Sequence, residues 1–104
     1  MSDIPPIDIR PDHWVIVRDI LHARMPGCEV WAFGSRATGK AKPWSDLDLA
    51  IVAERPFPAL MIAALAEDFA DSDLPWKVDV VDRAAARPSF QAIIDRDKVP
   101  VQRG

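Results

Sequence analysis

The chain of 104 residues contains no tyrosine and one cysteine. A lone Cys28 cannot form an internal disulfide, and its position at the start of an apolar run predicts a buried thiol. No segment approaches the roughly 18 to 20 apolar residues of a membrane-spanning helix, and residues 1–11 lack the basic and apolar regions of a signal peptide. We therefore expect a cytoplasmic protein without a membrane partner.

Basic residues are few and dispersed. There are 13 Lys and Arg against 16 Asp and Glu, which gives a formal net charge of −3. This balance does not support nucleic acid as a partner. A hydrophobic share of 49% with 28% charged residues is typical of a globular protein, and the length suits one domain. We predict one small α/β domain over residues 11–104, preceded by an N-terminal arm, residues 1–10.

Hydrophobic periodicity predicts a mixed β-sheet with helices packed on it. Apolar residues recur at helical spacing between Pro11 and Met25, and again after Pro58 and after Pro88. Period-two or continuous apolar runs between these helices are typical of strands. The predicted strands cover residues 28–33, 45–53 and 76–82, and residues 98–104 form either an edge strand or a loose tail.

Two aspartates share one strand in this prediction. Asp46 and Asp48 are two residues apart, so both carboxylates would project from the same side, about 7 Å apart along the strand. Carboxylates held this close either share protons or recruit a cation, and Mg²⁺ commonly takes one or two carboxylates plus substrate phosphates. A third carboxylate lies on the strand 76–82. There we favour Asp79, in mid-strand, over Asp82, whose terminal position suits a capping or solvent-facing role.

A Gly-Ser step follows the first predicted strand. Gly34 would let the backbone approach a ligand closely, and Ser35 could present its hydroxyl and its N–H group. A helical turn over residues 35–39 would direct its positive N-terminal end at an anion such as phosphate. Taken alone, the dipeptide favours a plain turn with a serine N-cap. The mobile cations expected around a bound phosphate are Arg36, Lys40 and Lys42.

The Gly-Ser step and the aspartate pair together form a more specific pattern than either alone. Gly34-Ser35, ten intervening residues and Asp46-Leu47-Asp48 match GS-x10-D-x-D, on which the chain resembles the polymerase β-like nucleotidyltransferase superfamily. The stretch FGSRATGKAKPWSDLDLAIV is similar to the minimal nucleotidyltransferase (MNT) branch, in which a following strand supplies a third aspartate, here Asp79. The resemblance runs from about Trp14 to Val99. It is close to the MNT antitoxins of bacterial HEPN/MNT toxin–antitoxin pairs.

This resemblance implies a nucleotidyltransferase fold and an activity. The family uses ATP and Mg²⁺ to transfer AMP to a tyrosine of a partner HEPN ribonuclease, which silences the toxin. Asp46 and Asp48 would hold two Mg²⁺ ions, and Asp79 would ligate the catalytic ion and act as general base. Gly34 and Ser35 would position the phosphates. Because this chain has no tyrosine, the acceptor would belong to another molecule.

Two other hypotheses stay open from the sequence. The chain could neutralise a toxin by binding and occluding it, with a vestigial nucleotide site, or it could modify a small molecule. His13 and His22 lie on the first predicted helix, where we expect surface or core-edge positions rather than catalysis. Trp44 could stack on a base or meet the partner, but we favour packing on the strand of its own loop.

Overall fold

The computed structural model describes residues 4–104, and its centre is a four-stranded mixed sheet. The helices and strands in chain order are α1 (Pro11–Arg24), β1 (Glu29–Phe33), α2 (Ser35–Thr38), β2 (Leu47–Val52), α3 (Ala59–Ala70), β3 (Val78–Asp82), a short 3₁₀ helix (Arg83–Ala85), α4 (Pro88–Asp97) and β4 (Val99–Gln102). The predicted α/β class with a mixed sheet is confirmed.

The order of the strands across the sheet is β3-β2-β1-β4. β1 runs antiparallel to both β2 and β4, whereas β2 and β3 are parallel. Two parallel strands need a long crossover between them, and α3 supplies it. At the other side of the sheet, β4 is the outermost strand. Of the two possibilities for residues 98–104, the edge strand is thus the one observed.

The alternation of β2 directs its side chains into two different environments. Leu47, Leu49 and Ile51 are fully buried in the main core, together with side chains of α1 and α3. Ala50 points to the opposite face of the sheet, where it packs with Phe33 and with Ile94 of α4. Asp48 shares this second face, because residues two apart on a strand project to the same side.

The segment before α1 packs onto the domain. Ile4, Ile7 and Ile9 contact the main core, and the backbone N–H of Asp8 donates to the carbonyl of Arg36 at 2.8 Å. Residues 1–3 lie outside the described part, and the boundary at residue 10 stays a prediction. Cys28 packs against the same core and is half-buried, so the thiol that we predicted to be buried is only partly so. None of the helices in residues 4–104 has the length and apolar character to cross a bilayer.

Candidate active site

The Gly-Ser step forms a tight turn at the end of β1. Gly34 has a φ of 74°, a backbone conformation that favours glycine, and its carbonyl accepts from the N–H groups of Ala37 and Thr38 at 3.0 and 3.1 Å. A Cβ atom at this position would collide with the carboxylate of Asp48. Gly34 is therefore needed both for the turn and for the close approach of Asp48.

The Ser35 hydroxyl is available to a ligand. The N-cap of α2 is Gly34, and no side chain caps this helix, so the alternative of a serine N-cap is not what the turn uses. Ser35 is half-buried, and its carbonyl accepts from the N–H of Lys40 at 3.0 Å. Among residues 4–104 its Oγ atom has no hydrogen-bond partner, which leaves the hydroxyl free for a phosphate.

Asp48 and Asp79 are direct neighbours across the parallel strands. The register pairs Asp48 of β2 with Asp79 of β3, so both carboxylates lie on the same face at the start of the two strands. Asp46 is one residue before β2, which begins at Leu47, so the expectation that it lies within the strand is wrong. It is nevertheless close enough to Asp48 to affect its titration.

Burial and mutual repulsion perturb Asp48. Partial desolvation raises the pKa of Asp48 to about 6, and the negative charges of Asp79 and then Asp46 add to this rise, while Lys77 opposes it. Loss of solvent and like charges both disfavour the ionised form of a carboxyl. Asp48 therefore interacts electrostatically with both of the other predicted carboxylates.

Lys77 is a member of this cluster that the sequence analysis missed. Its Nζ lies 3.1 Å from Oδ1 of Asp79. The pKa of Lys77 is raised, chiefly by Asp79 and to a smaller extent by Asp46 and Asp48. Its position two residues before Asp79, on the same face of the strand, was the sequence feature that could have indicated this counterion role.

The carboxylate oxygens of the three aspartates are suitable ligands for a hard cation. Carboxylate oxygens are the protein ligands that Mg²⁺ prefers. In the described residues, no three acidic, histidine or cysteine side chains are gathered tightly enough to hold an ion. Asp46 is exposed and the Asp79 side chain is 40% exposed, so both can rotate towards Asp48 without disturbing packed neighbours. The residues fit Mg²⁺ by chemistry, and the ion would have to draw the carboxylates together.

Asp82, the alternative to Asp79, has a structural role. Its carboxylate accepts from the N–H of Phe57 at 2.7 Å and from the N–H of Ala84 at 3.2 Å. The second bond caps the short 3₁₀ helix. Asp82 therefore serves as the capping residue that its terminal position indicated.

Arg36 is not the mobile cation that we expected. It is buried, and its guanidinium donates to three backbone carbonyls, those of Ser45 at 2.8 Å, Asp8 at 2.7 Å and Pro43 at 3.1 Å. It also stacks on Trp76 with Cζ 4.3 Å from the ring centre. Desolvation lowers its pKa. Each of its three guanidinium nitrogens donates a hydrogen bond to the backbone, so Arg36 holds the loop before Asp46.

Lys40 and Lys42 are both exposed on the loop between α2 and β2. Lys40 lies near Asp97 at the end of α4, a neighbour that the sequence did not indicate. The Arg96 guanidinium, 2.8 Å away, holds the pKa of Asp97 below its usual range, and the N–H of Gly34 and the charge of Lys40 add to this effect. The carboxylate of Asp97, the last residue of α4, therefore lies near the Gly34 turn.

Trp44 differs from expectation. It is 72% exposed, so the prediction that it packs on the strand of its own loop is wrong. Its loop is closed by Ser45, whose Oγ accepts from the N–H of Lys42 at 2.8 Å. His13 is half-buried with its ring against Trp76, and His22 is exposed, so both occupy the core-edge and surface positions that we predicted.

This geometry agrees with comparisons to known proteins. Residues 16–101 match the nucleotidyltransferase domain family. The chain belongs to this family. A nucleotidyltransferase relative from Haemophilus influenzae, a probable protein adenylyltransferase MntA, is 45% identical over 102 residues, which are 98% of this chain and 90% of the relative. The resemblance to minimal nucleotidyltransferases is therefore confirmed.

Solved structures show the same nucleotidyltransferase fold. A toxin–antitoxin complex with AMP-PNP matches with a TM-score of 0.73 and 23% identity, over 88% of this chain and 73% of that one. The complex of a tri-AMPylated Shewanella oneidensis HEPN toxin with its MNT antitoxin matches with a TM-score of 0.69 and 20% identity. That match covers 92% of this chain and 74% of the other. At these identities the matches establish the fold.

Proposed function

We propose that this protein is a cytoplasmic antitoxin that transfers AMP from ATP to a tyrosine hydroxyl of a partner HEPN ribonuclease. The observation that carries the proposal is the direct pairing of Asp48 with Asp79 beside the Gly34 turn. Two further facts support it. The Haemophilus influenzae relative is named as a probable protein adenylyltransferase, and one similar structure contains a HEPN toxin that is AMPylated.

The nucleotide binds through its phosphates at the end of β1. The free hydroxyl of Ser35 donates to the phosphate tail, and the missing Cβ of Gly34 allows the Asp48 carboxylate to lie directly against this turn. Lys40 and Lys42, exposed on the adjoining loop, supply positive charge that attracts the triphosphate. Arg36 takes no part in this contact, because its guanidinium is bound to the protein backbone.

Asp46, Asp48 and Asp79 are the residues that would hold the magnesium ions. When bound, two Mg²⁺ ions supply positive charge that offsets the charge of the triphosphate and lowers the pKa of the attacking hydroxyl. To bind an ion, Asp79 would first have to give up its ion pair with Lys77. That pair is exposed at the surface, with the Lys77 side chain 71% exposed, and such pairs contribute little to stability.

The transfer itself is a substitution at phosphorus. The phenolic oxygen forms a bond to the α-phosphorus of ATP, the bond from this phosphorus to the α,β-bridging oxygen breaks, and pyrophosphate leaves. Asp79 accepts the phenolic proton as general base. Because this chain has no tyrosine, it cannot modify a tyrosine of its own and the acceptor comes from the partner.

The decisive test is intact-mass analysis of a HEPN protein co-expressed with this chain. Each transferred AMP adds a discrete mass step, which the wild type should produce. The double variant Asp46→Asn/Asp48→Asn should reduce transfer by at least about 10²-fold, because the oxygen ligands and their charge are lost. A matched control is Asp71→Asn/Asp73→Asn, which changes two exposed aspartates of the same spacing at the end of α3.

Other outcomes identify the alternatives. If Asp46→Asn/Asp48→Asn protects cells as well as the wild type and no AMP appears on the HEPN protein, neutralisation is by occlusion. If AMP is transferred to a small hydroxyl compound and never to protein, the chain is a small-molecule nucleotidyltransferase. Either result would overturn the proposal.

A further inference from the structure

β3 is an edge strand with free hydrogen-bonding groups. In the part of the chain that the structure describes, it pairs with β2 only. The carbonyl of Lys77 accepts from the N–H of Leu47 at 2.9 Å, so the backbone of Lys77 faces β2. Backbone direction alternates along a strand. The backbone N–H and C=O groups of Asp79 therefore also point towards β2. Those of Val78 and Val80 point outward, away from the sheet.

A groove follows this outer edge. It has a volume of about 690 Å³ and lies between β3 and the C-terminal half of α3. Its lining includes Glu67 and Ala70 of α3, Trp76 before the strand, and residues 77–80. The groove lies on the face of the sheet to which Val78 and Val80 project, whereas the Asp79 side chain projects to the opposite face. The unpaired backbone groups of Val78 and Val80 are next to open space.

The two edges of the sheet differ. β4, at the other edge, contains Pro100, which removes a backbone donor and disfavours pairing with another strand. β3 contains neither proline nor glycine, so each of its residues keeps a backbone donor. An unprotected edge strand is a template for the addition of an extended segment.

We propose that this edge and groove bind the tyrosine-bearing segment of the protein acceptor as a fifth strand. The inference rests on the proposed function and adds how the acceptor is held. Neighbouring strands lie about 4.7–4.9 Å apart, and directly opposed residues project to the same face. A tyrosine opposite Asp79 therefore lies on the face of Asp79, with Asp48 one strand further on. The residues on either side of this tyrosine project to the other face, where the groove against α3 receives them. The hydroxyl reaches the aspartate cluster from the side opposite Gly34.

The charge of the edge favours a foreign segment over a second copy of this chain. Glu67, Asp79 and Asp82 lie on or beside the edge, and Lys77 is the cation among the residues that line the groove. Arg83, which follows Asp82, is paired with Asp95. Pairing two copies through β3 would double this negative charge in one short contact, and like charges near each other on a sheet are destabilising. The segment bound here is extended and carries no acidic residue next to its tyrosine.

Two alanines of α3 allow a matched test of the groove. Ala70 and Ala63 are both exposed, but only Ala70 lines the groove. Ala70→Trp fills the groove and should slow AMP transfer to the co-expressed HEPN protein at least about 10-fold, with an unchanged thermal shift on adding Mg²⁺ and ATP. Ala63→Trp should transfer at the wild-type rate. Equal transfer rates in the two variants would contradict the docking.

Amide hydrogen exchange tests the added strand directly. In the free protein, the outward amides of Val78 and Val80 should exchange quickly, whereas those of Asp79 and Val81, which face β2, are already protected. Binding of the HEPN protein should slow exchange at Val78 and Val80 at least about 10-fold. Unchanged exchange in the complex would overturn the proposal, as would protection that rises with the concentration of this chain alone, which indicates self-pairing.

The two proposals fail in different ways. If Val78 and Val80 become protected in a complex that never carries AMP, the docking surface is right and the transferase function is wrong. If AMP is transferred while exchange at both amides is unchanged and Ala70→Trp is fully active, the function is right and the acceptor binds elsewhere.

Discussion

Asp48 is held in surroundings that disfavour its charge. It is half-buried, it faces Asp79 across the strand pair, and the Gly34 backbone approaches its carboxylate too closely to allow a side chain there. Both its partial burial and the two neighbouring aspartates raise its pKa. Such an arrangement costs stability, and it is the kind of cost that a cation-binding or catalytic site incurs.

Removing this charge should stabilise the free protein. Because the pKa of Asp48 is raised from 3.8 to about 6, the folded chain binds this proton more tightly than the unfolded chain does. The destabilising effect is therefore complete above about pH 6, shrinks as the pH falls through this value, and is absent below about pH 3.8. Asp48→Asn should unfold about 5 °C above the wild type near pH 8, with a smaller gain near pH 5.

Thermal unfolding over a pH series in metal-free buffer measures this difference. Asp82→Asn is the control, because Asp82 accepts hydrogen bonds from Phe57 and Ala84 and its change should lower the melting temperature. A melting temperature of Asp48→Asn at or below that of the wild type near pH 8 would show that the carboxylate is not strained.

The loop between α2 and β2 is positioned by one side chain. Arg36 donates to the carbonyls of Pro43 and Ser45 in this loop and to that of Asp8 in the N-terminal segment, and it stacks on Trp76. Three separate parts of the chain are therefore joined next to Asp46. Arg36 acts as a positioning residue for the loop, in place of the nucleotide contact that we expected.

Loss of the Arg36 guanidinium should destabilise the folded protein. Arg36→Met leaves three carbonyls without their donor and should lower the free energy of unfolding by about 2–4 kcal/mol, and Arg36→Lys should recover only part of it, since one ammonium cannot span the three sites. Lys42→Met removes a charge from the same loop at an exposed position and should change stability by less than about 0.5 kcal/mol. Urea unfolding measures all three. Equal effects of Arg36→Met and Lys42→Met would refute the positioning role.

In the whole molecule, two connections assemble the candidate site. The antiparallel pairing of β1 with β2 places the Gly34 turn against Asp48, and the crossover through α3 brings Asp79 into register beside it. The main core under these strands fixes both relations, because a shift of β2 by one residue would expose Leu47, Leu49 and Ile51. The site is thus a consequence of sheet register.

A ligand that binds only this folded arrangement should stabilise the entire chain. At concentrations near 100 times Kd, Mg²⁺ with ATP should add about 2.7 kcal/mol, a rise of roughly 10 °C or more in melting temperature for a domain of this size. ATP with EDTA should produce little of this rise. Asp46→Asn/Asp48→Asn should lose most of it, whereas Asp71→Asn/Asp73→Asn should keep it. A shift that survives in the first pair would mean that the nucleotide binds elsewhere.

Local sequence patterns were enough to predict the helices and strands and the face of the sheet on which the acidic residues lie. The period of two along residues 47–52 separates the leucines from Asp48, and the same alternation puts Asp79 on the face away from Val78 and Val80. The Gly-Ser turn and the spacing to the aspartates were likewise visible, because turn geometry and strand alternation depend on neighbours in the chain.

Contacts between segments that are distant in the chain determined the features that the sequence did not predict. Arg36 is buried because Asp8 and Trp76 meet it, and Trp44 is exposed because no other segment covers its loop in residues 4–104. The strand order likewise determines that β3, with Lys77 and Asp79, forms an open edge. Periodicity specifies which side of an element is apolar, but the partner of each side depends on how the elements pack together in three dimensions.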